Sequence, residues 1–213
     1  MKNQVGLYLI TPENFNLLEF EPLFDEALAT GTVGLVQLRL KNLSDNFIIS
    51  TTKRLLNISK IYNVPLIIND RPDLAKKTNA NGVHIGQSDG SIKNARKLVG
   101  EDSIIGVTCH NSLNLACKAE ALGADYVAFG SFYKSNSKKT RFHAEPDILE
   151  WWNKISNIPC VAIGGIDQSN FKLLVDKGAK YLAIISSVWS HPEGPGIALR
   201  EFTSEMTKLT IKS

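Results

Sequence analysis

The chain has 213 residues, of which 43% are hydrophobic, and a net charge of +3 at neutral pH. This size allows one substantial core, and the small charge does not favour a nucleic-acid or membrane partner. Its three cysteines (Cys109, Cys117 and Cys160) have no CxxC spacing, and no apolar stretch is long enough to span a membrane, so we expect a soluble cytoplasmic protein without a disulfide framework or cysteine zinc site.

Short apolar runs rich in β-branched residues alternate with helix-like segments along the chain. The predicted strands are Val5–Ile10, Val33–Leu38, Val64–Ile68, Gly82–Ile85, Ser103–Val107, Tyr126–Phe129, Pro159–Ile163 and Tyr181–Ile185. The predicted helices are Glu19–Ala29, Ser44–Tyr62, Pro72–Thr78, Ser91–Leu98, Ser112–Leu122, Pro146–Ile155, Gln168–Lys177 and Ile197–Leu209. Ser44 is a predicted N-cap, and Gly31, Gly123 and Gly178 stand where helices should end.

This alternation predicts an α/β protein with a parallel sheet, and its eight repeats predict a single (β/α)8 TIM barrel over residues 1–213. The alternative is an open doubly wound sheet, which normally carries a glycine-rich fingerprint after its first strand. Here Thr11 and Pro12 follow that strand, and no GxGxxG is present. In TIM barrels the active site lies at the carboxyl ends of the strands, so residues at those ends are the functional candidates.

The second predicted strand becomes polar and cationic toward its end. Because side chains alternate along a strand, Gln37, Arg39 and Lys41 share one face, and Leu38 and Leu40 lie on the other. This pattern is typical of a strand that lines the mouth of a barrel.

Two carboxylates follow the neighbouring third and fourth strands. Asp70 and Asp89 should therefore face one small volume, where carboxylate oxygens, water and substrate phosphate could hold Mg²⁺. The alternative is structural: Asp70 pairs with Arg71 or another cation, and Asp89 caps the helix that follows it.

The later strand ends carry further candidates. Thr108 could donate a hydrogen bond to a phosphate, whereas His84 and His110 could be bases or hydrogen-bonded packing residues. After the seventh strand, the turn Gly164-Gly165 leaves the backbone uncovered where TIM barrels often bind phosphate, and Ser186 follows the eighth strand. The pattern predicts two anion sites.

A basic segment, residues 134–141, follows the sixth strand. It carries four cations among hydroxyl and amide side chains, which suits a phosphorylated ligand, although a solvated surface loop is the plainer interpretation.

In these motifs the chain resembles the thiamine-phosphate synthases over nearly its whole length. The matching segments are Tyr8-Leu9-Ile10-Thr11, Gln37-Leu38-Arg39-Leu40-Lys41, Ile68-Asn69-Asp70-Arg71, Gly82-Val83-His84-Ile85-Gly86-Gln87 with Asp89, Ile105-Gly106-Val107-Thr108, Gly123-Ala124-Asp125-Tyr126-Val127-Ala128-Phe129-Gly130 and Ala162-Ile163-Gly164-Gly165-Ile166. The resemblance implies a TIM-barrel transferase that uses Mg²⁺ to join an aminopyrimidine methyl diphosphate to a thiazole phosphate, releasing diphosphate.

The resemblance also implies residue roles. The pyrimidine diphosphate would be held by Gln37, Arg39, Lys41, Asn69, Thr108 and Lys138, with Lys138 also catalytic. The metal would be held by Asp70 and Asp89, and the thiazole phosphate by Ser135, Asn136, Ser137, Gly165, Ile185 and Ser186. The basic segment departs from the family pattern, because Lys134 replaces a proline and two serines replace threonines.

Two rival functions remain open at the level of sequence. One is a thiazole-phosphate tautomerase of the same barrel family, working through a histidine such as His110. The other is a non-catalytic barrel that binds phosphorylated ligands. In each case the expected partners are small phosphorylated molecules, with no nucleic acid or membrane, and the protein would be a monomer or homodimer.

Overall fold

The computed structural model of the chain describes residues 5–134 and 142–211, which form a closed barrel of eight parallel strands. The strands are β1 (Gly6–Ile10), β2 (Val33–Leu38), β3 (Leu66–Asn69), β4 (Gly82–Ile85), β5 (Ile104–His110), β6 (Tyr126–Gly130), β7 (Cys160–Ile163) and β8 (Tyr181–Ile184). Each strand pairs with the next in sequence, and β8 pairs with β1. The predicted TIM barrel is therefore confirmed.

Helices follow the strands in turn. They are α1 (Leu17–Ala29), α2 (Asp45–Ile61), α3 (Pro72–Thr78), α4 (Ile92–Val99), α5 (Leu113–Ala121), α6 (Asp147–Ile155), α7 (Lys172–Asp176), α8 (Ser186–Trp189) and α9 (Pro195–Ile211). The Ser44 hydroxyl caps α2 by accepting a hydrogen bond from Phe47 N, as predicted. Gly31, Gly123 and Gly178 have positive φ angles after the ends of α1, α5 and α7, which explains the glycines there.

Near the C-terminal strands one predicted helix boundary was wrong and one helix was missed. The helix predicted at Gln168 begins only at Lys172, because the Asp167 carboxylate accepts from the backbone N–H and hydroxyl of Ser169 and holds a turn instead. The short helix α8 was not predicted. Its four residues start directly after β8, too few for a helical hydrophobic pattern to be visible.

Apolar side chains pack in two layers separated by the strands. Between the sheet and the helices lies the larger layer, to which β2 contributes Val36 and Leu38. Inside the barrel, β2 contributes Leu35, and the alternation continues with Gln37 toward the mouth. The predicted division of β2 into an apolar and a polar face is confirmed. None of the helices in the described ranges has the length and apolarity needed to cross a membrane.

Candidate functional site

A cavity of about 720 Å³ opens where the strands end. It is lined by every described residue that sequence predicted for the site: Gln37, Arg39, Lys41, Asn69, Asp70, Asp89, Thr108, Gly165, Ile185 and Ser186. The other four predicted residues, Ser135, Asn136, Ser137 and Lys138, lie outside the described residues. The barrel thus brings together predicted residues from six strand ends, β2 to β5, β7 and β8, at one face.

Asp70 and Asp89 form the acidic part of the cavity. Their carboxyl groups are close enough for a side-chain hydrogen bond, and burial, followed by the negative charge of Asp89, raises the pKa of Asp70. Asp89 is held by the backbone N–H of Gly86, 2.9 Å from its Oδ2 atom. Among the described residues, Lys41 forms an ion pair with Asp70, and its Nζ atom lies 3.9 Å from Asp70 Oδ2. This site concentrates negative charge that one lysine at that distance only partly offsets.

One part of the structural alternative holds, because Asp70 pairs with another cation, Lys41. The other parts do not hold. Arg71 does not pair with Asp70, because its guanidinium binds the carboxylates of Asp45 and Asp73. The cap of α4 is Ser91, whose hydroxyl accepts from the N–H of Asn94, so Asp89 is not the helix cap. Both carboxylates are thus oriented toward the cavity.

Arg39 has a partner that sequence analysis missed. Its Nη1 atom donates to the carboxylate of Glu13, in the segment after β1, and its backbone N–H donates to Thr11 Oγ1 at 2.9 Å. The Arg39 side chain is only 13% exposed, so this pair fixes the guanidinium at the cavity wall. The pairing of β1 with β2 brings the two segments together, but no sequence motif marks Glu13.

The β7 and β8 ends form the opposite wall. Gly164 and Gly165 have φ angles of 107° and 63°, and residues other than glycine rarely adopt this left-handed backbone conformation. Asn170 Nδ2 donates to Gly165 O at 2.9 Å and holds this turn. Because α8 begins at Ser186, its first N–H groups are not used by the helix itself. The wall therefore offers backbone donors, which suit an anion.

Polar side chains continue beneath the cavity into the barrel. Gln37 Nε2 lies 2.6 Å from the Tyr8 hydroxyl, which lies 2.7 Å from the Tyr126 hydroxyl. The Tyr126 hydroxyl is also 2.7 Å from His84 Nδ1, and His84 Nε2 is 2.8 Å from Thr108 Oγ1. Burial lowers the pKa of His84 to about 4, so the imidazole is neutral near pH 7. Of the two interpretations of His84, the hydrogen-bonded packing residue fits this environment.

Sequence analysis missed the two tyrosines in this interior chain. Tyr8 and Tyr126 occupy inward-facing positions of β1 and β6, where apolar residues are the rule, and this exception was the available signal. Burial raises the pKa of both phenols, so both stay protonated.

The candidate His110 and the free cysteine Cys109 differ in position. The His110 ring lines the cavity and stacks on Phe142, with ring centroids 4.0 Å apart. Cys109 is buried, and burial raises the pKa of its thiol to about 12. Because the thiolate is the nucleophilic form, Cys109 is unsuited to attack a substrate.

Comparison with known proteins points to one family. The family model described as thiamine monophosphate synthase matches residues 7–188. A thiamine-phosphate synthase of Rhodospirillum centenum is 46% identical over 200 residues, covering 94% of this chain and 97% of that protein. A second, from Hyphomonas neptunium, is 41% identical, covering 93% of this chain and 92% of its own length.

A solved structure agrees with these relatives. The thiamine phosphate pyrophosphorylase from Pyrococcus furiosus superimposes with a TM-score of 0.83 at 29% identity, and the match covers 97% of both chains. The resemblance noted in the sequence motifs is confirmed by these matches.

Proposed function

Because this chain belongs to the thiamine monophosphate synthase family, we propose that it condenses 4-amino-2-methyl-5-(diphosphooxymethyl)pyrimidine with a thiazole phosphate, giving thiamine phosphate and diphosphate. The observation that carries the proposal is that one cavity has an acidic pair and two cations on one side and a glycine turn on the other. Such a cavity can receive two phosphorylated groups of different kinds.

Asp70 and Asp89 fit a divalent cation. They present carboxylate oxygens at close range, and their mutual repulsion, which contributes to the raised pKa of Asp70, is what a cation would relieve. Across residues 5–134 and 142–211, no three His, Cys, Asp or Glu side chains cluster as metal ligands. Mg²⁺ would therefore complete its coordination with water and diphosphate oxygens, as is usual for this ion, and would stabilise negative charge on the diphosphate.

The protein side chains would divide the binding of the substrates. Lys41 and Arg39 would neutralise the diphosphate, while Gln37, Asn69 and Thr108 would orient the pyrimidine ring. Gly165, Ile185 and Ser186 would hold the thiazole phosphate through backbone donors. Ser135, Asn136, Ser137 and Lys138 are assigned from the family motif alone.

In the proposed reaction, the bond between the pyrimidine methylene carbon and the diphosphate oxygen breaks and its electron pair leaves with diphosphate. The amino-substituted ring delocalises the positive charge, and the thiazole nitrogen then forms the new bond to that carbon. The chain provides positioning and charge rather than a nucleophile, in keeping with the neutral Cys109 thiol.

The first experiment mixes both phosphorylated halves with the purified protein and Mg²⁺, and detects thiamine phosphate by chromatography. We expect product with Mg²⁺ and none with EDTA. Conversion of one thiazole tautomer into another, without coupling, would instead identify the tautomerase, and binding without diphosphate release would identify a non-catalytic barrel.

A second experiment tests the assignment of Lys138. The variant Lys138→Ala should lower kcat by about 10²-fold or more, the typical effect of removing one group that stabilises transition-state charge. Lys139→Ala removes the adjacent cation as a matched control and should change kcat little. Near-normal turnover of Lys138→Ala with saturating substrates would contradict the assignment.

A further inference from the structure

We propose that a directed chain of hydrogen bonds through the barrel interior fixes the groups that Gln37 and Thr108 present to the cavity, and thereby selects an amino-substituted heterocycle over its oxo counterpart. Tyr8, Tyr126 and His84 are positioning residues in this proposal, because they act through the two cavity residues. The substrate part of the inference rests on the proposed function, whereas the hydrogen-bond direction does not.

The hydrogen-bond chain crosses the barrel interior from β2 to β5. It runs from Gln37 through Tyr8, Tyr126 and His84 to Thr108, with donor–acceptor distances of 2.6, 2.7, 2.7 and 2.8 Å. Its first four members are almost completely buried, with exposed fractions of 2%, 1%, 4% and 7%. Buried polar groups are costly without partners, so each proton in this chain needs an acceptor.

The position of the Gln37 amide sets the direction of the chain. Gln37 Nε2 donates to the Tyr8 oxygen, so the single proton of Tyr8 is available for Tyr126, its other partner among the described residues. Tyr126 then donates to His84 Nδ1. A neutral imidazole that accepts at Nδ1 carries its proton on Nε2, and it donates that proton to Thr108 Oγ1.

The opposite direction does not satisfy the same groups. If Thr108 donated to His84, then Tyr126 would donate to Tyr8, and Tyr8 would accept from both of its partners. Its own buried proton would lack an acceptor unless the Gln37 amide turned its oxygen toward Tyr8. With the amide as it stands, the direction from Gln37 to Thr108 satisfies every member.

The direction of the hydrogen bonds determines which groups the two end residues, Gln37 and Thr108, present to a ligand, because both residues line the cavity. With one of its two Nε2 hydrogens donated to Tyr8, Gln37 keeps its Oε1 atom as an acceptor. With Oγ1 accepting from His84, Thr108 offers its hydroxyl proton as a donor. A 4-aminopyrimidine matches this pair, since its amino group donates and its ring nitrogen accepts. A 4-oxo ring presents a carbonyl acceptor and a ring N–H donor, the reverse pattern.

The direction can be measured without any substrate. We would label the histidines with ¹⁵N, assign His84 by its loss in His84→Gln, and record the ring nitrogen shifts at pH 7. We expect a protonated Nε2 and an unprotonated Nδ1. A proton on Nδ1, or a charged ring, would overturn the proposed direction, whether or not the protein makes thiamine phosphate.

Selectivity is measured by calorimetric binding of the 4-amino pyrimidine diphosphate and its 4-oxo analogue in the presence of Mg²⁺. The native protein should favour the amino compound by about tenfold or more, the value of one or two hydrogen bonds. Tyr126→Phe interrupts the chain and should bring the two affinities to within a few-fold. Tyr133→Phe is the matched control, because the Tyr133 hydroxyl bonds Asn170 O outside the chain, and it should keep the preference.

Thr108→Val and Thr108→Ser give an independent test in case Tyr126→Phe does not fold. Valine keeps the shape but removes the donor and should lose the preference, whereas serine should retain it. Unchanged selectivity in Tyr126→Phe or Thr108→Val would refute the proposal. Binding of neither compound to the native protein would refute the proposed function and the selectivity with it, while the histidine spectra decide the direction separately.

Discussion

Asp70 and Asp89 stand close enough, at the ends of β3 and β4, to share a hydrogen bond, and burial and the Asp89 charge raise the pKa of Asp70. Asp70 also has a φ angle of 63°, a left-handed conformation that Asp and Asn tolerate better than other non-glycine residues. Two carboxylates kept together in this way oppose the stability of the ligand-free barrel and favour a cation. The pair therefore allows a stability measurement to report on metal binding.

Asp70→Asn should stabilise the protein in EDTA by about 0.5 kcal/mol, because it removes one of the two repelling charges and suits the left-handed backbone. Mg²⁺ should raise the melting temperature of the native protein but not that of the variant. Thermal melts over a magnesium titration measure both effects. Asp73→Asn, which alters a carboxylate bound to Arg71, is the control and should keep the magnesium response. A full magnesium response in Asp70→Asn would contradict the metal assignment.

From the lowered pKa of His84 we predict that the stability of the protein depends on pH. The pKa of this residue falls from 6.5 to about 4 on folding, so below pH 6.5 the unfolded chain binds a proton that the folded protein excludes. The stabilisation is complete above pH 6.5 and is lost as the pH falls toward 4. Between pH 7 and pH 5 the free energy of unfolding should decrease by about 2 kcal/mol through this residue.

Urea denaturation at both pH values, in metal-free buffer, measures this contribution. His84→Gln retains a donor and an acceptor but does not titrate, so its stability should decrease about 2 kcal/mol less than that of the native protein over the same range. Equal decreases in the two proteins would show that His84 is already protonated in the folded barrel or is solvated there.

Much of the fold and of the cavity wall could be predicted because the signals are local. Alternation along β2 separates Gln37 from Leu38, and the order of parallel strands makes Asp70 and Asp89 neighbours. Such inferences need only the spacing within one strand or the succession of two strands. They do not depend on how side chains pack.

The contacts that the sequence did not predict become visible only in the closed barrel. Tyr8 and Tyr126 are 118 residues apart, and their hydroxyl groups meet only because strands on different sides of the barrel enclose one interior. The ion pair of Arg39 with Glu13 depends on the path of the segment after β1, for which the sequence has no motif. Both contacts join side chains through space, where neither propensity nor periodicity gives information.

We predict that substitution of Arg96 lowers the stability of the protein without changing its activity. The Arg96 guanidinium donates to the Asp125 carboxylate and the Gly123 carbonyl, and to three further carbonyls, those of Gly100, Glu101 and Ser103. The side chain is 14% exposed, so these bonds are largely shielded from water. Lysine keeps the charge but lacks the planar fork, and Arg96→Lys should cost about 2 kcal/mol of stability.

Chemical denaturation and steady-state kinetics together test this expectation. Because none of these groups lines the cavity, kcat of Arg96→Lys at a permissive temperature should match that of the native protein. Arg54→Lys, which changes the more exposed ion pair with Glu21, is the control and should cost less than about 1 kcal/mol. Equal costs for the two variants would show that the bonds of Arg96 add nothing to an ordinary surface pair.

Gly106 leaves room for the Tyr126 ring, and from this contact we predict a severe effect of substitution. A Cβ atom at position 106 would lie 1.9 Å from Tyr126 Cζ and 2.2 Å from its hydroxyl oxygen, so Gly106→Ala must displace the ring. The expected cost is about 3 kcal/mol, from overpacking and from broken hydrogen bonds to Tyr8 and His84. Gly34→Ala is the matched control, because its Cβ would lie 3.3 Å from Tyr181 Cε1 and 3.8 Å from Leu7 O, without a comparable clash.

A double-mutant cycle separates this clash from a general intolerance of alanine in β5. Tyr126→Ala removes the ring, so adding Gly106→Ala in that background should cost less than about 0.5 kcal/mol, and the coupling energy should account for most of the single-variant effect. Urea denaturation of the four proteins supplies the cycle. If Gly106→Ala costs the same with and without the ring, then the glycine serves the β5 backbone and not the placement of Tyr126.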